Sequence, residues 1–282
     1  MKSITVENVS YVYSAGTPFA VGALNDVSLT IPAGKMTGII GRTGSGKSTL
    51  VQMFNGLVKP TNGRILLDGE DIWAGGKKMP NLNFLVGLVM QYPEYQLFEE
   101  TVAKDIAFGP CNMKLSEAEI AERVSSAAKF CGIGKDVMDK SPFDLSGGQK
   151  RRVAVAGVMA MNPEVLVLDE PAAGLDPMGR EDILSGIRTF QKETGTTVVI
   201  VSHSMEDMAK YCDEMIVLSE GKVFAHGTKE EIFVREEELY DIGLSVPEVT
   251  SLVHMLKEMG VPLEGDYFTV DDAAEAIARI LQ

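Results

Sequence analysis

Positive charge, cysteine and long apolar runs are all in short supply in this chain of 282 residues. Lys and Arg number 26 against 40 Asp and Glu, a formal net charge of −14. That deficit excludes general nucleic-acid binding, because neutralising a phosphate backbone needs a basic surface. It leaves a basic protein partner open. The three cysteines, Cys111, Cys131 and Cys212, have no metal-ligand spacing and an odd count, so they read as reduced packing residues without chemistry. No segment approaches the roughly 18 to 20 uninterrupted apolar residues of a membrane span, and Met1 to Ser10 lacks the basic and apolar regions of a signal peptide. The chain is therefore expected to be soluble and intracellular. Internal repeats and low-complexity tracts are missing as well.

What is present is enough for a substantial core. With 45% hydrophobic and 23% charged residues, the chain is expected to form one large domain, residues 1–228, and a smaller appendage, 229–282. Met36 to Ile40, Leu82 to Met90, Val165 to Leu168 and Thr197 to Val201 are apolar runs bounded by Gly, Pro or polar residues, as expected of strands buried in a parallel sheet. Between the second and third the pattern turns helical and Ala-rich from the capping box Ser116-x-x-Glu119 to Cys131. A mainly helical insert over about 93–162 follows from it. The fold class is therefore α/β. The appendage carries 13 Asp and Glu against 4 Lys and Arg, a local charge of −9. Thr269-x-x-Asp272 opens a helix through Ala273, Ala276, Ile277, Ile280 and Leu281, and Ser245-x-x-Glu248, with Pro247 in the first turn, opens another through Leu252, Leu256 and Met259. A small cap on the main domain and a dimerisation surface are both open for this unit.

Gly41-Arg42-Thr43-Gly44-Ser45-Gly46-Lys47-Ser48 fits G-x-x-x-x-G-K-[ST], between a strand and a helix. Its glycines let successive N–H groups turn inward toward phosphate oxygens, and the helix that begins near Lys47 aims its positive dipole end at the same anion. Lys47 is expected to reach the outer phosphates and Ser48 to ligate Mg2+. The candidate nucleotide-contacting set in this stretch is Gly41, Arg42, Thr43, Gly44, Ser45, Gly46, Lys47, Ser48 and Thr49. Val165 to Glu170 adds a buried strand that ends in two carboxylates, with Asp169 placed to hold Mg2+ and Glu170 to act as general base.

Other residues gain meaning from their order along the chain. His203, after the strand Thr197 to Val201, is positioned to hydrogen-bond a γ-phosphate and orient water. Gln91, ending an earlier strand, is a candidate for Mg2+ or that water. Tyr13 lies on the first strand region where it can stack on adenine, and Tyr11, two residues away on the same face, is its rival. Asp176-Pro177 is an ordinary helix start that also joins the nucleotide-contacting set. Ser146-Gly147-Gly148-Gln149 can cap a helix, with Lys150, Arg151 and Arg152 at its positive end, where basic residues are disfavoured. An anion from another subunit would relieve that conflict. Neighbouring acids could instead neutralise Arg151 or Arg152 within the chain.

These motifs, with Leu145-Ser146-Gly147-Gly148-Gln149 decisive, resemble the ATP-binding-cassette ATPases over about 2–228. The resemblance implies a phosphate-loop NTPase with a RecA-like core, an antiparallel sheet near the N-terminus, a helical subdomain carrying the signature, a small α-rich C-terminal extension, and a head-to-tail dimer with two ATP molecules at its interface. The runs Gln91 to Val102 and Leu168 to Pro177 look like the ATPase subunits of energy-coupling-factor transporters, and like the second of their two types. This likeness implies ATP hydrolysis with Mg2+ at the cytoplasmic face of the cell membrane, powering uptake of a vitamin or metal ion. The implied partners are a second ATPase subunit of the first type, a transmembrane coupling protein and a substrate-binding membrane component, with no nucleic acid. A homodimer, as in cobalt and nickel importers, and a soluble cassette ATPase remain alternatives. A surface for the coupling protein is expected on Tyr92, Glu94, Tyr95, Phe98, Glu99 and Glu100.

Overall fold

In the computed structural model, which describes residues 1–280, ten strands form two sheets. The strands are β1 (Ile4–Tyr13), β2 (Val21–Ile31), β3 (Met36–Ile40), β4 (Asn62–Leu67), β5 (Glu70–Asp71), β6 (Val86–Val89), β7 (Val165–Asp169), β8 (Thr197–Val201), β9 (Glu214–Ser219) and β10 (Lys222–Gly227). β2, β1, β4 and β5 make an antiparallel sheet, and the second sheet runs β10-β9-β3-β8-β7-β6. Its strands pair in parallel except at the β9–β10 edge.

Alternation along the central strands explains why their sequences are apolar throughout. Leu166 and Leu168 of β7 and Val198 and Ile200 of β8 enter one core cluster, while Val165, Val167, Val199 and Val201 enter another. Successive side chains on a strand face opposite ways, so a sheet covered on both faces needs apolar residues at every position. One cluster lies between the two sheets and includes Ile4, Val6, Leu29 and Phe54. The other joins the opposite face to helices Val102–Asn112, Glu117–Phe130, Gly147–Met159 and Pro177–Thr194. Ser116 and Glu119 form the expected capping box at the second of these helices.

Two local expectations fail. Leu82 to Met90 is not one strand: Leu82–Leu85 is a helical turn that starts from Asn81 in the left-handed region, φ 57°, and only Val86–Val89 pairs in the sheet. Ser245 does not cap the next-to-last helix, because that helix runs Glu248–Glu258 with Pro247 at its N-cap and no capping side chain. Glu248 is thus the first helical residue rather than the third, out of step with a box that starts at Ser245. The last helix, Val270–Ile280, is capped by Thr269, whose hydroxyl oxygen accepts from the Asp272 amide at 3.3 Å. Leu281, assigned to that helix from sequence, lies outside the described residues. Leu239, Leu244, Val246 and Phe268 of the C-terminal segment are buried in the same cluster as the central sheet. Cys131 and Cys212 are buried, and burial pushes the Cys131 thiol up to about 12, in keeping with a packing role, whereas Cys111 is exposed and does not pack as expected.

Candidate nucleotide site

β3 delivers the chain into the loop Gly41 to Gly46, and the helix Lys47–Phe54 leaves it. Gly46 has φ 101°, and a Cβ there would stand 2.6 Å from the Ala23 carbonyl oxygen, so a glycine is required. Lys47 Nζ folds back to donate to the carbonyl oxygens of Gly41 at 2.6 Å and Arg42 at 3.0 Å. Burial lowers the Lys47 pKa, opposed by the negative charges of Glu170 and Asp169. Among the described residues its hydrogen bonds go only to these backbone carbonyls, which a phosphate can replace. The Ser45 hydroxyl is buried in the same loop without a partner among the described residues.

β7 ends on Asp169, 5% exposed, whose pKa burial raises against the Ser48 hydroxyl, Lys47 and His203. Glu170 follows with φ 55°, its amide donating to the Val201 carbonyl at 3.0 Å, so the chain turns sharply at the strand end and brings the carboxylate into the cavity. Burial, with the charge of Asp169 adding to it, pushes the Glu170 carboxyl up to about 7. Its Oε1 lies 3.4 Å from His203 Nε2, yet is buried and accepts no hydrogen bond among the described residues. Burial also lowers the His203 pKa, with the Lys47 charge acting in the same direction. An acceptor oxygen of raised basicity beside a neutral imidazole is what proton abstraction from water needs.

Tyr13, Thr43, Gly44, Gly46, Lys47, Ser48, Thr49, Gln91, Asp169, Glu170 and His203 line one cavity of about 370 Å³. Tyr13, 42% exposed, has its hydroxyl 2.8 Å from Thr49 Oγ1, whereas Tyr11 packs against the core between the sheets. Of the two tyrosines, Tyr13 is the one in the cavity. Ser48, Gln91 and Asp169 offer a hydroxyl, an amide oxygen and a carboxylate. Hard oxygen donors with few carboxylates suit Mg2+, which keeps waters and takes phosphate oxygens. Sequence reasoning missed Val21, Gly22 and Ala23 of β2, which line the same cavity. The signal is the pairing that sets Val21 opposite Tyr13.

Two parts of the expected set lie elsewhere. The Arg42 side chain turns away from this cavity, so only its backbone belongs to the cradle. Ser146, Gly148, Gln149 and Asp176 line a separate cavity of about 660 Å³, with Gly147 beside them in the chain. Ser146 accepts from the Gln149 amide at 3.3 Å, and the Gln149 side chain accepts from the Ser146 amide at 3.0 Å, so this helix start is capped from within. Asp176 caps the helix Pro177–Thr194 by accepting from the Gly179 amide at 2.6 Å. Within the basic run, Arg151 pairs with Glu94 and Arg152 with Asp182, while Lys150 makes no ion pair among the described residues. This also corrects the coupling surface: the Glu94 carboxylate is committed to Arg151, not offered to a partner. Tyr95 and Phe98 are exposed, at 85% and 57%.

The fold and these motifs have close counterparts. The ABC transporter family profile matches residues 24–173. A protein of Caldanaerobacter subterraneus subsp. tengcongensis named energy-coupling factor transporter ATP-binding protein EcfA2 is 52% identical over 279 residues, 99% of this chain and 98% of that protein. The structure of cbiO1 from Clostridium perfringens, described as part of the ABC transporter complex cbiONQ, is 41% identical with a TM-score of 0.74, over 90% of this chain and 98% of that one. A dimeric ATP-binding cassette, MJ0796, in a post-hydrolysis state with ADP and Pi, is 28% identical with a TM-score of 0.70, over 80% of this chain and 98% of its own. The α/β architecture is that of a phosphate-loop NTPase, and no helix among the described residues is long and apolar enough to cross a membrane. The chain belongs to the ABC transporter family and, within it, to the ATP-hydrolysing subunits of the energy-coupling-factor type.

Proposed function

We propose that ATP hydrolysis by this chain powers uptake of a vitamin or another micronutrient, with the chain bound peripherally at the cytoplasmic face of the membrane. Its partners in this reading are a second ATPase subunit of the first type, a transmembrane coupling protein and a substrate-binding membrane component. Glu170 carries the reading: it presents a buried carboxylate oxygen with no hydrogen-bond donor among the described residues, raised in pKa, next to His203. Loop amides and Lys47 bind the β- and γ-phosphates, and Tyr13 stacks on adenine. Ser48, Gln91 and Asp169 would hold Mg2+, which when bound neutralises charge on the phosphates. Glu170 takes the proton of the attacking water, and His203 steadies that water and the γ-phosphate. Ser146, Gly147, Gly148, Gln149 and Asp176 act on the nucleotide of the other ATPase subunit, in keeping with Ser146, Gly148, Gln149 and Asp176 lining a cavity apart from the phosphate loop. The acidic segment 229–282 is a candidate dimerisation unit.

The coupling surface is kept, without Glu94, on Tyr92, Tyr95, Phe98, Glu99 and Glu100. Phe98 stands edge-on to Phe108 with ring centroids 4.8 Å apart, at the side of a groove of about 610 Å³ that also includes Leu57, Phe84 and Met161. That groove suits a short amphipathic helix of the coupling protein. A homodimer is the second reading, favoured by the likeness to the cbiONQ subunit. Co-purification with the membrane components and reconstitution in vesicles tests both. Recovery of one ATPase type only supports the homodimer, and vesicles that accumulate no micronutrient on ATP addition oppose the transport role.

A further inference from the structure

Outside the cavity, the Arg42 side chain lies along the backbone of Gly243: a Cβ on that glycine would stand 2.8 Å from Arg42 Cδ, 3.0 Å from Nε and 3.2 Å from Cζ. Gly243 belongs to the C-terminal segment, at the turn that ends the helix Glu236–Asp241. With φ 72° it donates to the Tyr240 carbonyl at 2.8 Å, while Leu244 donates to the Leu239 carbonyl at 2.8 Å. This is the left-handed C-terminal cap in which a glycine is preferred. Leu239 and Leu244 are buried in the main core, so the turn is fixed to the ATPase body. Arg42 in turn matters to the cradle, because its carbonyl oxygen accepts from both the Lys47 ammonium and the Ser45 amide, each at 3.0 Å. Rotating the Arg42 peptide would disturb both bonds.

We propose that Gly243 is a positioning residue for ATP binding. By leaving room for the Arg42 side chain it seats that residue on the C-terminal segment and holds its carbonyl on the Ser45 amide, which keeps the turn of the phosphate loop when Lys47 leaves that carbonyl for phosphate. The C-terminal segment is thereby part of the ATP-binding apparatus. This role rests on the phosphate loop being the ATP site.

The full-length chain, assembled with its partner ATPase, tests this through KM and kcat for ATP, alongside ATP dissociation constants of the chain alone. Gly243→Ala raises KM and the dissociation constant about three- to tenfold with kcat within about twofold of normal, the mark of lost ground-state binding. Gly243→Asn, which tolerates the left-handed backbone but still carries a Cβ, does the same and keeps the test valid if the alanine variant does not fold. Gly260 also has a left-handed φ, 89°, but nothing stands within 4 Å of its added Cβ, so Gly260→Ala leaves both constants unchanged. In an Arg42→Ala background, Gly243→Ala adds no further loss. Equal effects of the two glycine variants, full effect of Gly243→Ala without Arg42, or normal ATP binding by Gly243→Ala and Gly243→Asn would each overturn the proposal. A wild-type chain that fails to bind ATP would instead overturn the phosphate-loop assignment beneath it.

Discussion

Arg151 and Glu94 join the signature helix to the segment after Gln91: the guanidinium donates to the two carboxylate oxygens at 2.8 and 3.0 Å, with the arginine side chain 5% exposed and the glutamate 17%. The helix proposed to act on a second subunit's nucleotide is thus bonded to the turn Pro93–Gln96 that follows Gln91 of this chain's own cavity. A displacement of one is carried to the other through a planar, two-point contact.

Removing the acid leaves a buried cation without a partner. Glu94→Ala is therefore expected to cost about 3 to 5 kcal/mol of folding stability. Urea unfolding at neutral pH measures it, and a loss below about 1 kcal/mol would mean that the pair is held too loosely to matter.

Glu170 supplies a pH signature in the nucleotide-free chain. Its folded pKa of about 7 lies above the ordinary 4.5, so between these values the folded chain keeps a proton that the unfolded chain releases. Stability from this group is accordingly full below about pH 4.5 and falls as the pH rises toward about 7, by no more than about 3.5 kcal/mol at about 1.4 kcal/mol per unit. Glu170→Gln abolishes that contribution. Unfolding free energies near pH 5 and near pH 8 should differ between wild type and variant by this change, and parallel pH dependences would count against a raised Glu170 pKa.

Tyr13 and Tyr11 separate stacking from packing. Tyr13→Ala should weaken ATP binding by about 1 to 3 kcal/mol, and Tyr13→Trp should largely preserve it. Tyr11→Ala, which removes a half-buried ring packed against the core, should lower thermal stability with ATP affinity near normal. Isothermal titration with ATP decides the matter. A larger affinity loss from Tyr11→Ala moves the adenine platform by two residues.

Ser146→Arg breaks the internal cap and puts bulk at the helix start that carries the Gly147 and Gly148 amides. The variant should bind ATP as a monomer with normal affinity but fail to associate on ATP addition, as read by light scattering. Normal ATP-driven association would remove the signature from the second subunit's site.

The nucleotide site was legible in the sequence because its geometry is written in short contiguous runs. Glycines at fixed offsets set the phosphate loop, and a strand that ends on Asp169 with Glu170 next to it marks both carboxylates, although the turn at Glu170 is fixed by its bond to the distant Val201 carbonyl. Where contacts between distant segments decide, the sequence was silent. Nothing local to Glu94 tells that Arg151 claims it, and nothing near Arg42 points to Gly243. Leu82 to Met90 failed for another reason: a short apolar run fits a buried helical turn as well as a strand, and the left-handed Asn81 decides for the turn. The central strands were read correctly because burial on both faces leaves a nearly continuous apolar signal, interrupted inside β3 by Thr37 and Gly38.

The most direct test of the whole account is the ATP turnover of Glu170→Gln in the chain assembled with its partner ATPase. The substitution keeps the side chain's shape and removes the base, so turnover should fall about 100- to 10,000-fold while ATP stays bound and the dimer is held closed. Turnover close to the wild-type rate would contradict the account, because no other unpartnered carboxylate oxygen is buried among the described residues.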